Sequence, residues 1–261
     1  MNSVNKTLYI PLYGKAMVSR RRILLNDPTA EEIWEKEGFL LKGKASSKWL
    51  AFSMAMRAKV FDCWVQTKLA AFPDAVVLHM GCGLDSRCRR VGEILGTWYD
   101  LDFPEVLEIR KSWFAETDHY RMLPGNVLDL NWKKQIPAGG TAIVVMEGIC
   151  MYLPPRELEE LLKALKAHFD RVQLLMDCYS TFAAKASKYK NPINSVGVTQ
   201  VYGMDDPVGL SDKTGLRYLG EHDMMPTTLI AQLNTSERII FSNLYAGKTA
   251  RKLYRMYEFE G

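Results

Sequence analysis

The sequence has no uninterrupted apolar stretch of the roughly 18 residues that a membrane-spanning helix needs, and its first residues, Met-Asn-Ser-Val-Asn-Lys, carry no apolar signal core. The reading is a cytoplasmic protein that does not enter a membrane. Cysteine is sparse and odd in number: Cys63, Cys82, Cys88, Cys150 and Cys178 include no Cys-x-x-Cys pair, and only four histidines accompany them. That excludes a disulfide framework and a structural zinc site, and no metal is expected. An excess of one charge is missing too. The net charge is +4, and the one dense basic run, Arg20-Arg21-Arg22, has no aromatic ladder beside it, so it reads as a solvated face and not as a nucleic-acid contact. What remains is a chain of 261 residues with 48% hydrophobic residues, enough to bury a sizeable core as one elaborated unit.

Residues 1–72 read as a helical cap. Asp27-Pro28 supplies an N-cap with proline at the first helical position, and a longer helix is expected from about Ser46 to Ala71. Its stripe of Leu50, Ser53, Met54, Arg57, Phe61, Trp64 and Val65 recurs at helical spacing, which places Arg57 on a core-facing side. From residue 75 short apolar runs alternate with helical patterns: Ala75–Met80, Thr97–Asp102, a weaker stretch near Met122–Leu128, Thr141–Glu147 and Val172–Asp177. Continuous apolar runs between helices indicate parallel strands covered on both faces, hence an α/β doubly wound sheet over residues 73–180. The helix after Pro154-Pro155 puts Leu158, Leu161, Leu162, Leu165 and Phe169 on one side and Arg156, Glu159, Lys163 and Lys166 largely on the other.

Residues 181–261 read as an insertion and closing strands. The polar stretch Lys185 to Gly215, with Pro192, Gly197, Gly203, Pro207 and Gly209, is too long for a simple connection and suggests a lid over the end of the sheet. Leu216–Glu221 and Leu253–Phe259 read as strands, the last antiparallel and inserted beside the sixth, with a helical pattern near Thr227–Asn234 between them. Seven mostly parallel strands are therefore expected.

The chemistry concentrates where the first strand runs into Gly81-Cys82-Gly83. Two glycines let the main chain turn sharply and come close to a ligand, and Asp102 at the end of the second strand is placed to accept hydrogen bonds from ribose hydroxyls. NAD and S-adenosylmethionine both fit this pairing. The third glycine of a dinucleotide turn is replaced by Ser86, and Asp85 would repel a pyrophosphate while tolerating a zwitterionic tail and a sulfonium. Both residues tilt the choice toward S-adenosylmethionine.

Four motifs then occur in order: Gly83-Leu84-Asp85-Ser86-Arg87, Asp102-Phe103-Pro104-Glu105, Asp129-Leu130-Asn131-Trp132 and Glu147-Gly148-Ile149-Cys150-Met151-Tyr152-Leu153. With Thr7–Ala16 at the front and Arg57 on the long helix, the chain resembles the leucine carboxyl methyltransferase family, and within it the bacterial branch that methylates polyketide carboxylates. The likeness is good from about residue 8 to 180 and weaker after 185. It implies a Rossmann-like class I methyltransferase fold and S-adenosylmethionine as cofactor. It further implies that Lys15 and Arg57 hold the methionine carboxylate, Gly81 and Gly83 lie along the cofactor, Asp102 binds ribose, Asp129 and Leu130 meet adenine, and Glu147 faces the amino end. Lys15 stands where arginine is more usual and keeps the charge without the fork.

Other readings stay open for several of these residues. An arginine in an apolar stripe needs an anionic partner, which for Arg57 is either a ligand or an internal carboxylate such as Asp62 or Asp85. Asp129 is either a ligand contact or a turn and cap residue. Tyr152 is read as a catalytic residue facing the acceptor or as a packing aromatic. His79, Trp98, Trp113 and the Met54–Met56 segment read as core. The expected reaction is methyl transfer to an oxygen, a carboxylate in preference to a phenol: a carboxylic acid, with a pKa near ~4, is already ionised at neutral pH, and a phenol, near ~10, needs a base that the motifs do not offer unless His119 or His222 folds back. The partner is a small-molecule acceptor. The competing functions are an NAD-dependent oxidoreductase and a non-catalytic S-adenosylmethionine-binding protein.

Overall fold

The computed structural model describes residues 5–37, 41, 43–190 and 200–261. Three helices lead: α1 (Tyr9–Arg20), α2 (Pro28–Glu37) and α3 (Lys48–Ala71). Asp27 starts α2 by accepting the Ala30 N–H at 2.9 Å, and Ser47 caps α3 by accepting from Trp49 N–H. The expected starts of both helices are therefore met to within two residues.

The strands are β1 (Val76–Met80), β2 (Trp98–Asp102), β3 (Tyr120–Pro124), β4 (Thr141–Met146), β5 (Arg171–Tyr179), β6 (Arg217–His222) and β7 (Tyr254–Glu260). They form one seven-stranded sheet in the order β3-β2-β1-β4-β5-β7-β6. The first five are parallel, and β7 lies antiparallel between β5 and β6. Side chains alternate across the pleat: Val77, Ile143, Val145 and Leu175 join a cluster with Phe52, Met56 and Phe61 of α3, while Leu78, Val144, Met146 and Leu174 face α6 (Pro155–His168) through Leu158, Leu161, Leu162 and Leu165. Short helices α4 (Arg87–Arg90) and α5 (Pro104–Arg110) precede α6, and α7 (Thr181–Lys190), α8 (Pro207–Thr214), α9 (Thr227–Ile230), α10 (Thr235–Leu244) and α11 (Lys248–Arg251) follow it.

Four expectations are corrected. The third strand lies earlier than Met122–Leu128: Tyr120, Met122 and Leu123 are buried, but exposed Arg121 and Pro124 break the apolar run at this edge of the sheet. The helical pattern near Thr227–Asn234 divides, since Asn234 accepts the Glu237 N–H and opens α10. Within the 185–215 stretch, Asp206 caps the helix α8 and Gly215 ends it at φ +71°, so that part is not loop; Pro192 and Gly197 lie outside the described residues. The basic run is not simply solvated either: Arg21 clamps Glu237 of α10 through two hydrogen bonds of 3.1 and 2.8 Å. No described helix is long and apolar enough to cross a membrane.

Candidate active site

Strand order reverses between β1 and β4, and their carboxyl ends open a crevice there, the place where open α/β sheets take ligands. A cavity of about 690 Å³ occupies it. Its floor is the turn after β1. Gly81 and Gly83 have φ of +66° and +53°, backbone that residues with a Cβ adopt at a cost. At Gly81 a Cβ would also stand 2.1 Å from Ile149 Cγ2, so here the close neighbour is the protein's own side chain. At Gly83 the nearest atom to a built Cβ is Leu8 Cβ at 3.4 Å, which leaves that backbone open toward the cavity.

Asp102 ends β2 against this turn. Its two oxygens accept from Gly83 N–H and Phe103 N–H, both at 2.7 Å. Burial pushes its carboxyl up to about 6, against the lowering effect of those two N–H donors.

Across the crevice stands a buried network of charges. Lys15 on α1 pairs with Asp85 at 2.8 Å. Arg57 on α3 pairs with Glu147 and Asp177, each at 3.0 Å, and also donates to the Tyr254 hydroxyl, which in turn donates to Asp177. Arg87 bonds Glu147 and Asp62, and Arg90 bonds Asp62, Asp85 and Asp27. Burial alone would raise the Glu147 carboxyl, but Arg87, Arg57 and Lys15 outweigh it and hold it at about 2. Asp177, fully enclosed, is raised by burial even with Arg57 beside it. Arg57 thus has its anionic partners within the protein, and they are Glu147 and Asp177, not Asp62 or Asp85.

The expected site residues Lys15, Arg57, Gly81, Gly83, Asp102, Glu147 and Tyr152 all line the one cavity. Asp129 and Leu130 do not. Asp129 is exposed and caps a 3₁₀ turn by accepting the Asn131 N–H, the turn reading of that residue, and the wall nearest Asp102 is made instead by Gly125, Asn126, Val127 and Leu128. Met54 is likewise corrected: Met56 is core, whereas Met54 faces the cavity. His79 is a satisfied core histidine, bonded to Asp100 and Arg87. His119 and His222 do not fold back; one bonds the Gly96 carbonyl and the other Glu258.

Sequence reasoning missed Arg87 as part of the cradle, together with Arg90, Asp177 and Tyr254. Arg87 sits between Leu84 and Val91 with no exposed surface, so it needs anionic partners for the same reason as Arg57. Tyr254 offers no such signal, because only the insertion of β7 beside β5 brings it to the site. Away from the charges the cavity wall is apolar and aromatic, with Leu50, Tyr152, Tyr179, Phe182, Met225 and Tyr245; Phe182 is 71% exposed at the rim. Burial raises the Tyr152 phenol, so it stays a donor at neutral pH.

Comparison with known proteins bears on the family and the fold. Residues 9–166 match the leucine carboxyl methyltransferase family. The chain is 29% identical to the tetracenomycin polyketide synthesis O-methyltransferase TcmP of Streptomyces glaucescens, across 99% of this chain and 97% of that one. It is 24% identical to the S-adenosyl-L-methionine-dependent methyltransferase dpfgK of Gibberella zeae, across 84% and 81%. In fold it is similar to magnesium protoporphyrin IX methyltransferase from Synechocystis with bound SAH, with a TM-score of 0.53 and 13% identity over 95% of this chain and 99% of that one. None of these similarities favours an NAD-dependent oxidoreductase.

Proposed function

The chain belongs to the leucine carboxyl methyltransferase family and is an S-adenosylmethionine-dependent methyltransferase, and on that premise we propose that its acceptor is a carboxylate oxygen of a small, polyketide-like acid. The donor set suits the cofactor. Asp102 offers a carboxylate to hydroxyl donors beside an open glycine backbone, Glu147 offers one to an ammonium, and Lys15 and Arg57 offer cations to a carboxylate. Asn126 to Leu128 supply the wall for the base. When bound, S-adenosylmethionine supplies an activated methyl group for in-line displacement, so the protein's task is to align and to exclude water.

The observation that carries the carboxylate reading is the fate of the histidines. All four are already engaged: His79, beside the cavity, through both ring nitrogens to Asp100 and Arg87, His119 to Gly96, His168 to the Ile136 carbonyl and His222 to Glu258. No imidazole is left to deprotonate a phenol, and a carboxylate needs no such help. Tyr152, held protonated by burial, positions one acceptor oxygen as a neutral donor and leaves the other free to attack. The apolar wall of Leu50, Phe182 and Tyr245 suits the acceptor's carbon skeleton.

The test is transfer of labelled methyl from S-adenosylmethionine to a panel of aromatic carboxylic acids and phenols. Label that is released by mild base marks an ester and supports the proposal. Label that survives base overturns the carboxylate assignment.

A further inference from the structure

A second buried polar group lies beneath the glycine turn, and one side chain connects it to the first. Asp100 on β2, fully buried, accepts from Arg110, from the Tyr120 hydroxyl at 2.6 Å and from the Trp98 indole N–H at 2.8 Å. Arg110 also donates to the Gly83 carbonyl at 3.1 Å, which ties this group to the turn that faces Asp102. The other group is the cradle network, in which Arg87 holds Glu147. His79, on β1, touches both: Nδ1 lies 3.2 Å from Asp100 Oδ1, and Nε2 lies 3.2 Å from Arg87 Nη1.

The partners decide the proton. Arginine only donates, so Nε2 must accept; ionised Asp100 only accepts, so Nδ1 must carry the hydrogen. A protonated ring would point an N–H at a guanidinium. The environment agrees, since burial lowers the His79 pKa against the opposing pull of Asp100.

We propose that His79 is a positioning residue that holds Arg87, and through it Glu147, in register with the glycine turn, so that the amino end and the ribose end of the cofactor cradle keep a fixed separation. The proposal rests on the cofactor-site reading given above. Arg87 spends its Nε on Asp62 and its Nη2 on Glu147, and the Nη1 hydrogen bond to His79 is the contact that anchors the guanidinium to the sheet. Without that acceptor, Nη1 turns toward Asp85 Oδ2, already 3.5 Å away, and Glu147 is carried with it. The ribose side is spared, because Asp100 keeps Arg110, Tyr120 and Trp98 as donors when His79 is gone, and the Gly83 to Asp102 hydrogen bond does not pass through His79.

This makes a distinction that loss of packing does not make. S-adenosylhomocysteine spans both ends of the cradle, whereas 5′-methylthioadenosine lacks the amino-acid tail and meets only the ribose and base end. By calorimetry, His79→Leu is expected to weaken S-adenosylhomocysteine about tenfold or more, the loss that goes with one hydrogen bond to a charged group, and to leave 5′-methylthioadenosine within about twofold. His79→Gln, whose amide both accepts and donates, is expected to recover most of the difference. Equal weakening of both ligands, or no weakening of either in folded His79→Leu, overturns the proposal. So does a Gln variant that loses as much as Leu.

The wild-type protein gives a second readout in case the Leu variant does not fold. Two-bond nitrogen–proton spectra of the labelled imidazoles are expected to show His79 as the neutral Nδ1–H tautomer at neutral pH. An Nε2–H or charged ring refutes the assignment. If the wild-type protein binds neither ligand, it is the cofactor reading that fails, and that outcome is separate from those above.

Discussion

Asp102 gives the sharpest prediction, because one carboxyl links cofactor affinity and stability to pH in opposite directions. Its pKa in the folded protein is about 6, raised by burial from an ordinary value of 3.8. If ribose hydroxyls donate to it, only the ionised form accepts both. The ionised fraction is close to one at pH 7.5 and about one tenth at pH 5, so the S-adenosylmethionine Kd should rise about tenfold between them, with the break near 6. Stability moves the other way. A carboxyl whose folded pKa is raised keeps its proton in the folded chain after the unfolded chain has released it. Its ionisation therefore destabilises the unliganded fold progressively as pH rises from about 4 to about 6, and the penalty is full above that window. The difference of about two pKa units corresponds to at most about 3 kcal/mol, less to the extent that water reaches the carboxyl. Asp102→Asn removes the penalty but retains only one good acceptor for the Gly83 and Phe103 N–H groups, so the unliganded variant should be about 1–2 kcal/mol more stable than wild type at pH 7.5 and no more stable at pH 4. It should also bind S-adenosylmethionine weakly, with no break near pH 6. Calorimetric titrations at five pH values and urea melts of both proteins make the measurement. A wild-type Kd that is flat from pH 5 to 7.5, or a break that persists in the variant, refutes the reasoning.

Removing Arg57 leaves Glu147 and Asp177 buried without their shared cation, so Arg57→Ala should cost about 3–5 kcal/mol in denaturant melts; Arg57→Lys should recover much of that stability while cofactor binding stays impaired, because the fork is lost. Gly81→Ala combines a φ of +66° with a collision against Ile149, and should lose about 2–4 kcal/mol; adding Ile149→Ala should restore the collision's share but not the 1–2 kcal/mol of backbone strain, which the double variant's melting curve will show. Glu237→Gln weakens the clamp from α10 to Arg21 and Lys48 and should cost about 1 kcal/mol, an effect that a double-mutant cycle with Arg21→Met should show to be shared.

The sheet was legible because parallel strands covered on both faces must be continuous apolar runs, as in Ile143 to Met146, and neither a surface helix nor a loop produces so short and unbroken a run. The edge strand β3 was less so, since Arg121 interrupts it and the helix-capping segment after it is equally apolar in Val127 and Leu128. Within the site, Asp102 and Glu147 could be placed because strand ends point at the crevice whatever the details. Asp129 could not, since an aspartate that caps a turn and one that meets a ligand look alike in one dimension. The pairing of Arg57 with Asp177 spans 120 residues, and only the sheet order brings those positions together. Local pattern therefore specified which residues are buried and charged, while topology decided which of them meet.

The antiparallel strand β7 bears on how the protein is made. It comes after both of its neighbours in the chain, yet it is hydrogen-bonded between β5 and β6 and delivers Tyr254 to Arg57 and Asp177. During translation β5 therefore waits with one edge unpaired, and the cradle lacks its last hydroxyl, until residues 254–260 have left the ribosome. A nascent chain halted before that point holds most of the cofactor residues on a sheet open to pairing with its neighbours, so chaperone dependence should fall sharply once β7 emerges.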